Sequence, residues 1–215
     1  MNWWSEKDPT PLQLKLFPNE RNVEIPALLN AVHLHKPETL LDVGCHGSAQ
    51  YYSKDLSEIL KYDGIDFVLD DAVAEHCDYI VGDVLNHTKK YDMVTCVSVL
   101  EHVGIKEIPI ANAICDQIYF VDHLISLTKK HLFLTFPYGK YGVFPDQYTN
   151  IFELTYKCIL KAYLREFDCV SQFWYCRLPL KGNWEMISKE TADTIPLDRS
   201  VGVQCVCLLR ATRKV

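Results

Sequence analysis

The sequence has no run approaching the ~18 apolar residues that a membrane-crossing helix requires. Its amino terminus, Met-Asn-Trp-Trp-Ser-Glu-Lys-Asp, also lacks the apolar core of a secretory leader. Both absences lead to the expectation of a cytoplasmic protein. No C-x-x-C pair occurs among the nine scattered cysteines, so neither a zinc knuckle nor a dithiol redox motif is expected. The cysteines read as small core residues of a reducing compartment, with Cys205 and Cys207 on one face of a strand. Positive charge is scarce as well. With 22 Lys and Arg against 28 Asp and Glu, the net charge of −6 argues against a broad basic face for nucleic acid and favours a small-molecule or carbohydrate partner. Internal repeats and low-complexity segments are missing.

What remains is the composition of a soluble globular domain, 48% hydrophobic and 23% charged over 215 residues, enough chain to bury a real core. Residues 1–21, with prolines at 9, 11 and 18, are expected to form an irregular arm in which Trp3 and Trp4 are a packing anchor or a lid. Residues 22–215 are expected to form one domain. Val23, Ile25, Leu28, Leu29 and Val32 fall at helical spacing, predicting an amphipathic helix over 22–33, with Pro26 tolerated near its start. Strands are predicted at 39–43, 62–67, 79–81, 92–97 and 131–136, with helices over 49–60, 109–130 and 150–167 between or after them. Two β-rich runs close the chain at 169–178 and 201–212, joined by a polar stretch. Alternating strands and helices predict a doubly wound, mostly parallel α/β sheet of seven strands, with the last two runs forming an antiparallel edge hairpin.

The segment around which this pattern is organised is 40–50, Leu-Leu-Asp-Val-Gly-Cys-His-Gly-Ser-Ala-Gln. An apolar strand runs into Asp42 and Val43, and Gly44 and Gly47 then allow a sharp turn in which backbone approaches a ligand closely. Asp66 ends the second strand 24 residues after Asp42, the spacing at which a βαβ unit presents a carboxylate to a ribose held at the first turn. Gly82-Asp83 ends the third strand. Glu101 and His102 lie just past the fourth. Each acidic or glycine residue therefore falls at the carboxyl end of a strand, where open α/β sheets bind their ligands.

This succession resembles the class I S-adenosylmethionine-dependent methyltransferases, with a Rossmann-like fold. The carriers are Asp42-Val-Gly44-Cys-His46-Gly47, Gly64-Ile-Asp66, Gly82-Asp83-Val84, and the run Tyr91-Asp-Met-Val-Thr-Cys-Val-Ser98-Val-Leu-Glu101-His102. The resemblance implies S-adenosyl-L-methionine as cofactor. Gly44 and Gly47 would lie against its methionine part, with Asp42 and His46 in the same motif and Ser98 facing it from the fourth strand. Asp66 would accept from both ribose hydroxyls, Phe67 would pack on the adenine, and Asp83 and the Val84 backbone would meet its edge. Past the fifth strand, Phe136-Pro-Tyr138-Gly-Lys140-Tyr141-Gly142, together with Glu101-His102-Val-Gly104, resembles bacterial methyltransferases of sugar and surface-glycan pathways. The resemblance implies O-methylation of a sugar or glycan precursor, phosphorylated or nucleotide-linked, with Tyr138 and Tyr141 stacking on the sugar and Lys140 meeting a phosphate.

His102 is a candidate general base, since an imidazole titrates near 6.5. The alternative is that Glu101 caps a helix and His102 is packed and hydrogen-bonded. Ser98 stands where metal-binding members carry a glutamate, so no metal is expected. His46 and Ser48 depart from the family's glycines. A catalytically silent domain that binds a partner is therefore a second reading, and a nicotinamide-dependent oxidoreductase a third, weakened by the missing G-x-G-x-x-G.

Overall fold

A computed structural model describes residues 20–47, 49–104, 110–139, 165–177, 184–195 and 205–213. Outside the described residues lie Trp3, Trp4, Ser48, most of the helix expected over 150–167, and the first residues of the run expected over 201–212.

One eight-stranded mixed sheet carries the fold. The helix α1 (Arg21–His35) precedes β1 (Leu40–Val43), and α2 (Ser53–Ile59), β2 (Asp63–Asp66), α3 (Asp71–Ala74) and β3 (Asp78–Val81) follow. Then come β4 (Tyr91–Val97), α4 (Ile110–Leu127), β5 (Thr128–Pro137), β6 (Cys169–Arg177), β7 (Trp184–Ile187) and β8 (Cys205–Thr212). The strand order is β3-β2-β1-β4-β5-β8-β6-β7. The first five strands pair in parallel, and β8 enters antiparallel between β5 and β6. Chain direction across the sheet reverses between β1 and β4, the switch point at which such sheets open a crevice.

The strands read as they pack. All seven residues of β4 are buried, as befits a strand covered on both faces. On one face α1 and α2 press Ile25, Leu28, Val32, Tyr52 and Leu56 onto Met93, Val97 and Phe133. On the other, α4 presses Phe120, Val121, Leu124 and Ile125 onto Val94, Cys96, Leu132 and Leu134. Cys205 and Cys207 share this second core, as their spacing implies.

Three expectations are corrected. The sheet has eight strands, because the stretch after β6 includes Trp184–Ile187, which pairs antiparallel with β6 and covers its open edge. The helix expected over 49–60 is split into a 3₁₀ turn, Ala49–Tyr51, and α2, separated at Tyr52, whose hydroxyl is drawn inward to Asp42. Finally, β5 begins at Thr128, three residues early, because the Thr128 hydroxyl donates to the Leu124 carbonyl and closes α4 there.

At the amino-terminal edge of the sheet, His35 and His131 stack with ring centroids 3.9 Å apart. Burial first, then the neighbouring His131 and Arg210, hold His35 down at about 4, and burial with Arg210 and Lys130 lowers His131. An unfolded imidazole protonates near 6.5, so this contribution is complete above that pH and drains away as pH falls towards 4. Melting temperature should therefore decline between about pH 6.5 and 4, and His35→Phe, which stacks without titrating, should flatten that decline.

Candidate functional site

The carboxyl ends of β1, β2 and β4 meet at the switch point. Gly44 leaves β1 with its N–H bonded to the Ile65 carbonyl at 2.9 Å and its φ at +75°. A Cβ built there would lie 2.2 Å from Val99 Cγ2, so the space a side chain would take is filled by the residue that follows Ser98. Gly47 has nearly the same φ, +73°, yet a Cβ there meets nothing within 4 Å. One glycine is required by contact, and the other leaves open room.

Carboxylates from the exit of β2 hold the turn between them. The His46 N–H donates to Asp66 Oδ2 at 3.0 Å, and the Gly47 N–H donates to Asp70 Oδ2 at 2.9 Å. Asp66 Oδ1 accepts from the Val68 N–H at 3.3 Å, and Asp70 Oδ1 caps α3 through Ala72 and Val73. The His46 ring is exposed, its Nδ1 3.8 Å from Asp70. Beneath the turn, Asp42 is fully buried and accepts from the hydroxyls of Tyr52 and Thr95, both at 2.8 Å. Burial pushes its carboxyl up to about 6; the two hydroxyl donors pull the other way, and Asp66 adds to the rise.

Phe67, Val68 and Leu69 follow Asp66 with 70%, 54% and 52% of their surface exposed, and Val81 at the end of β3 joins them. These residues form an exposed apolar stretch that includes Phe67, expected from the resemblance to pack on an adenine. Asp83 Oδ1 accepts from the Leu85 N–H at 2.9 Å and opens a 3₁₀ turn, Val84–Asn86, with Val84 buried. A Cβ at Gly82 again meets open space.

Ser98, at the exit of β4, has φ +50°, a left-handed conformation that costs a non-glycine residue roughly 1–3 kcal/mol. Its hydroxyl donates to Glu24 Oε1 at 2.7 Å, so this side chain is turned to α1. Past it, Gln117 of α4 donates to the carbonyls of Leu100 and Val103 and holds the 3₁₀ turn Leu100–His102. His102 is 77% exposed, with Nε2 3.9 Å from Glu101 Oε1. Glu101 is largely enclosed and its Oε2 is buried without a hydrogen-bond partner. Burial raises its carboxyl to about 8; a backbone hydrogen bond and Arg21 oppose the rise, while Glu24 and Glu20 reinforce it.

Tyr138 corrects its expected role as a stacking platform. It is buried, with its hydroxyl on Asp193 at 2.6 Å and its ring edge-on to Trp174. Lys140 and Tyr141 lie outside the described residues. Sequence reasoning missed Asp70, Tyr52, Thr95 and above all Glu24. Its signal was present, since a glutamate at 24 shares the buried helical face of Leu28 and Val32. Among the described residues no group of three or more His, Cys, Asp or Glu is placed to hold a metal, and no helix is long and apolar enough to cross a membrane.

No protein-family model matches the sequence, and no curated protein does. Solved structures do match in fold. Magnesium protoporphyrin IX methyltransferase from Synechocystis PCC 6803 aligns in its S-adenosylmethionine complex at 16% identity and TM-score 0.54, over 88% of this chain and 78% of that one. Its S-adenosylhomocysteine complex aligns at 14% and 0.56, over 91% and 88%. A candidate RNA methyltransferase from Pyrococcus horikoshii aligns at 12% and 0.54, over 97% and 91%. The methyltransferase domain of bacterial CtHen1-CN aligns at 12% and 0.51, over 90% and 100%. The chain thus has the Rossmann-like fold of S-adenosylmethionine-dependent methyltransferases. The names of these neighbours range from porphyrin to RNA methylation, so no sugar acceptor comes with the fold.

Gly44→Ala should cost about 2–4 kcal/mol by chemical denaturation, from left-handed strain plus the Val99 clash, against about 1 kcal/mol for Gly47→Ala. Glu101 binds its proton more tightly folded than unfolded, so its contribution to stability is lost as pH rises from about 4.5 to about 8. Glu101→Gln should therefore raise the melting temperature above pH 8 and leave it nearly unchanged at pH 5, in a pH series of thermal melts.

Proposed function

We propose that the chain is an S-adenosylmethionine-dependent methyltransferase that methylates a hydroxyl of a sugar or glycan precursor, phosphorylated or nucleotide-linked. The observation that carries the cofactor is the glycine turn held by Asp66 beside open space. The backbone from Gly44 to Gly47 is bent by two positive φ angles; its His46 N–H is fastened to Asp66, the carboxylate that would face a ribose, and its Gly47 N–H to Asp70. The residues fit the group: a side chain at Gly47 or Gly82 would meet nothing within 4 Å, and Phe67, Val68 and Leu69 leave an exposed apolar shelf past the exit of β2. Asp42 would support the methionine end from below, Ser98 would border that end through backbone, and the Val84 backbone would face the adenine.

When bound, S-adenosylmethionine supplies a methyl already activated on a sulfonium, so the chain's task is to align donor and acceptor and dispose of one proton. His102 would take the hydroxyl proton as the acceptor oxygen gains the methyl and the carbon–sulfur bond breaks, and its exposure would let it pass that proton to solvent. Glu101, 3.9 Å away, faces the imidazolium so produced. Its proton is retained until about pH 8, so that support strengthens as pH rises. Lys140 and Tyr141 would contact the acceptor's phosphate and ring. Tyr138 contributes from behind, by fixing Asp193.

Asp66→Ala should keep its melting temperature within a few degrees of the parent and lose at least about tenfold in S-adenosylmethionine affinity, ~1.4 kcal/mol. Equal affinity would show that the ribose is placed wrongly. Transfer of a radiolabelled methyl to nucleotide sugars or sugar phosphates tests the acceptor, and label appearing only on amines or nucleic acid would contradict it.

A further inference from the structure

The left-handed residue at the exit of β4 is fastened to a carboxylate from the other end of the domain's sequence. Glu24 of α1 is fully buried. Its Oε1 accepts two hydroxyl protons, from Ser98 Oγ and from Thr135 Oγ1 of β5, each at 2.7 Å, and its other oxygen is paired with Arg21. Thr135 has then spent its proton, and its Oγ1 is left to accept the Ser98 N–H at 3.1 Å, shared with the Thr135 carbonyl at 3.2 Å. Two elements distant in sequence, α1 and β5, are thereby tied to one residue in an unfavourable conformation.

That conformation is what places the neighbours on either side. One residue on, Val99 sits in the space above Gly44 and so sets the glycine turn. Three residues on, Glu101 begins the pair proposed to handle the proton. Rotation of φ at 98 towards the common region would swing both. Serine has no intrinsic preference for the left-handed region; without the clamp it would leave it.

We propose that Glu24 is a positioning residue for the cofactor: its carboxylate holds Ser98 left-handed, which seats Val99 on Gly44 and aims the Glu101–His102 turn at the same crevice. This rests on the cofactor reading above. Glu24 also adds negative charge beside Glu101, in keeping with the proton Glu101 retains.

Glycine accepts a φ of +50° without help, which gives a test that a packing role for Glu24 would not satisfy. Calorimetric titration with S-adenosylmethionine, alongside thermal melts, is made on the parent, Glu24→Ala, Glu24→Gln and the double variant Glu24→Ala/Ser98→Gly. Glu24→Ala should bind about tenfold more weakly, ~1.4 kcal/mol. The double variant should recover to within about threefold of the parent, and Glu24→Gln, whose carbonyl oxygen still accepts both hydroxyls, should stay in that range, ~0.7 kcal/mol. Parent-like binding by a folded Glu24→Ala overturns the proposal, as does a double variant no tighter than Glu24→Ala, or a Glu24→Gln as weak as Glu24→Ala. Should Glu24→Ala not fold, Thr135→Val, with and without Ser98→Gly, decides by the same outcomes. A parent that does not bind S-adenosylmethionine overturns the cofactor reading and this inference together, whereas a binding parent with unresponsive variants overturns the inference alone.

Discussion

The approach of Val99 to Gly44 is the contact on which the upper end of the sheet depends. A glycine at the end of β1 is needed because the chain leaving β4 passes where a Cβ would stand. That passage fixes the φ of Gly44 from one side and requires the left-handed Ser98 on the other. β1 and β4 pair in parallel up to Val43 and Cys96, and this contact lies just beyond that pairing, at the switch point where such sheets bind their ligands. The rest of the proposed site is arranged around two residues that touch, contributed by segments more than fifty positions apart.

Two buried carboxylates, Asp42 and Glu24, and the largely enclosed Glu101 belong to the segments that make or support this contact, and each meets the cost of burial differently. Asp42 is satisfied by two hydroxyls, from Tyr52 and Thr95, and its carboxyl still drifts up to about 6. Glu24 is satisfied by two hydroxyls and a guanidinium, and no further donor is needed. Glu101 has neither arrangement at Oε2, and with two other glutamates nearby it keeps its proton to about pH 8. The first two are thus suited to holding backbone in place, and the third to responding when a proton or a cation arrives. The difference follows from which hydroxyls the neighbouring segments supply, not from the carboxylates themselves.

Much of this was legible in the sequence because it is local. The strand ends carrying Asp42, Asp66, Asp83 and Glu101 follow from apolar runs broken by glycine, and the βαβ spacing places the first two at one edge. The hairpin fit was partial: 184–187 reads as polar linker, and its pairing with β6 is visible only once that edge exists. Tyr52 looked like a helix residue, and a sequence pattern cannot say that its hydroxyl turns inward to Asp42 and breaks the helix. Glu24 was hidden by the same rule that found its helix, since periodicity counts apolar positions and passes over a charge standing among them. Tyr138 misled because an aromatic after a strand exit serves equally well as a platform or as a buried brace, and only the partners Asp193 and Trp174 decide.

A crystal structure grown with S-adenosylhomocysteine tests the central claim most directly. The proposed site predicts the ligand at the switch point, its ribose hydroxyls on Asp66, its adenine over Phe67 with the amine towards Asp83, and its thioether beside the Ser98–His102 turn. A ligand bound elsewhere, or a crevice that stays empty at saturating ligand while Val99 remains on Gly44, would contradict it.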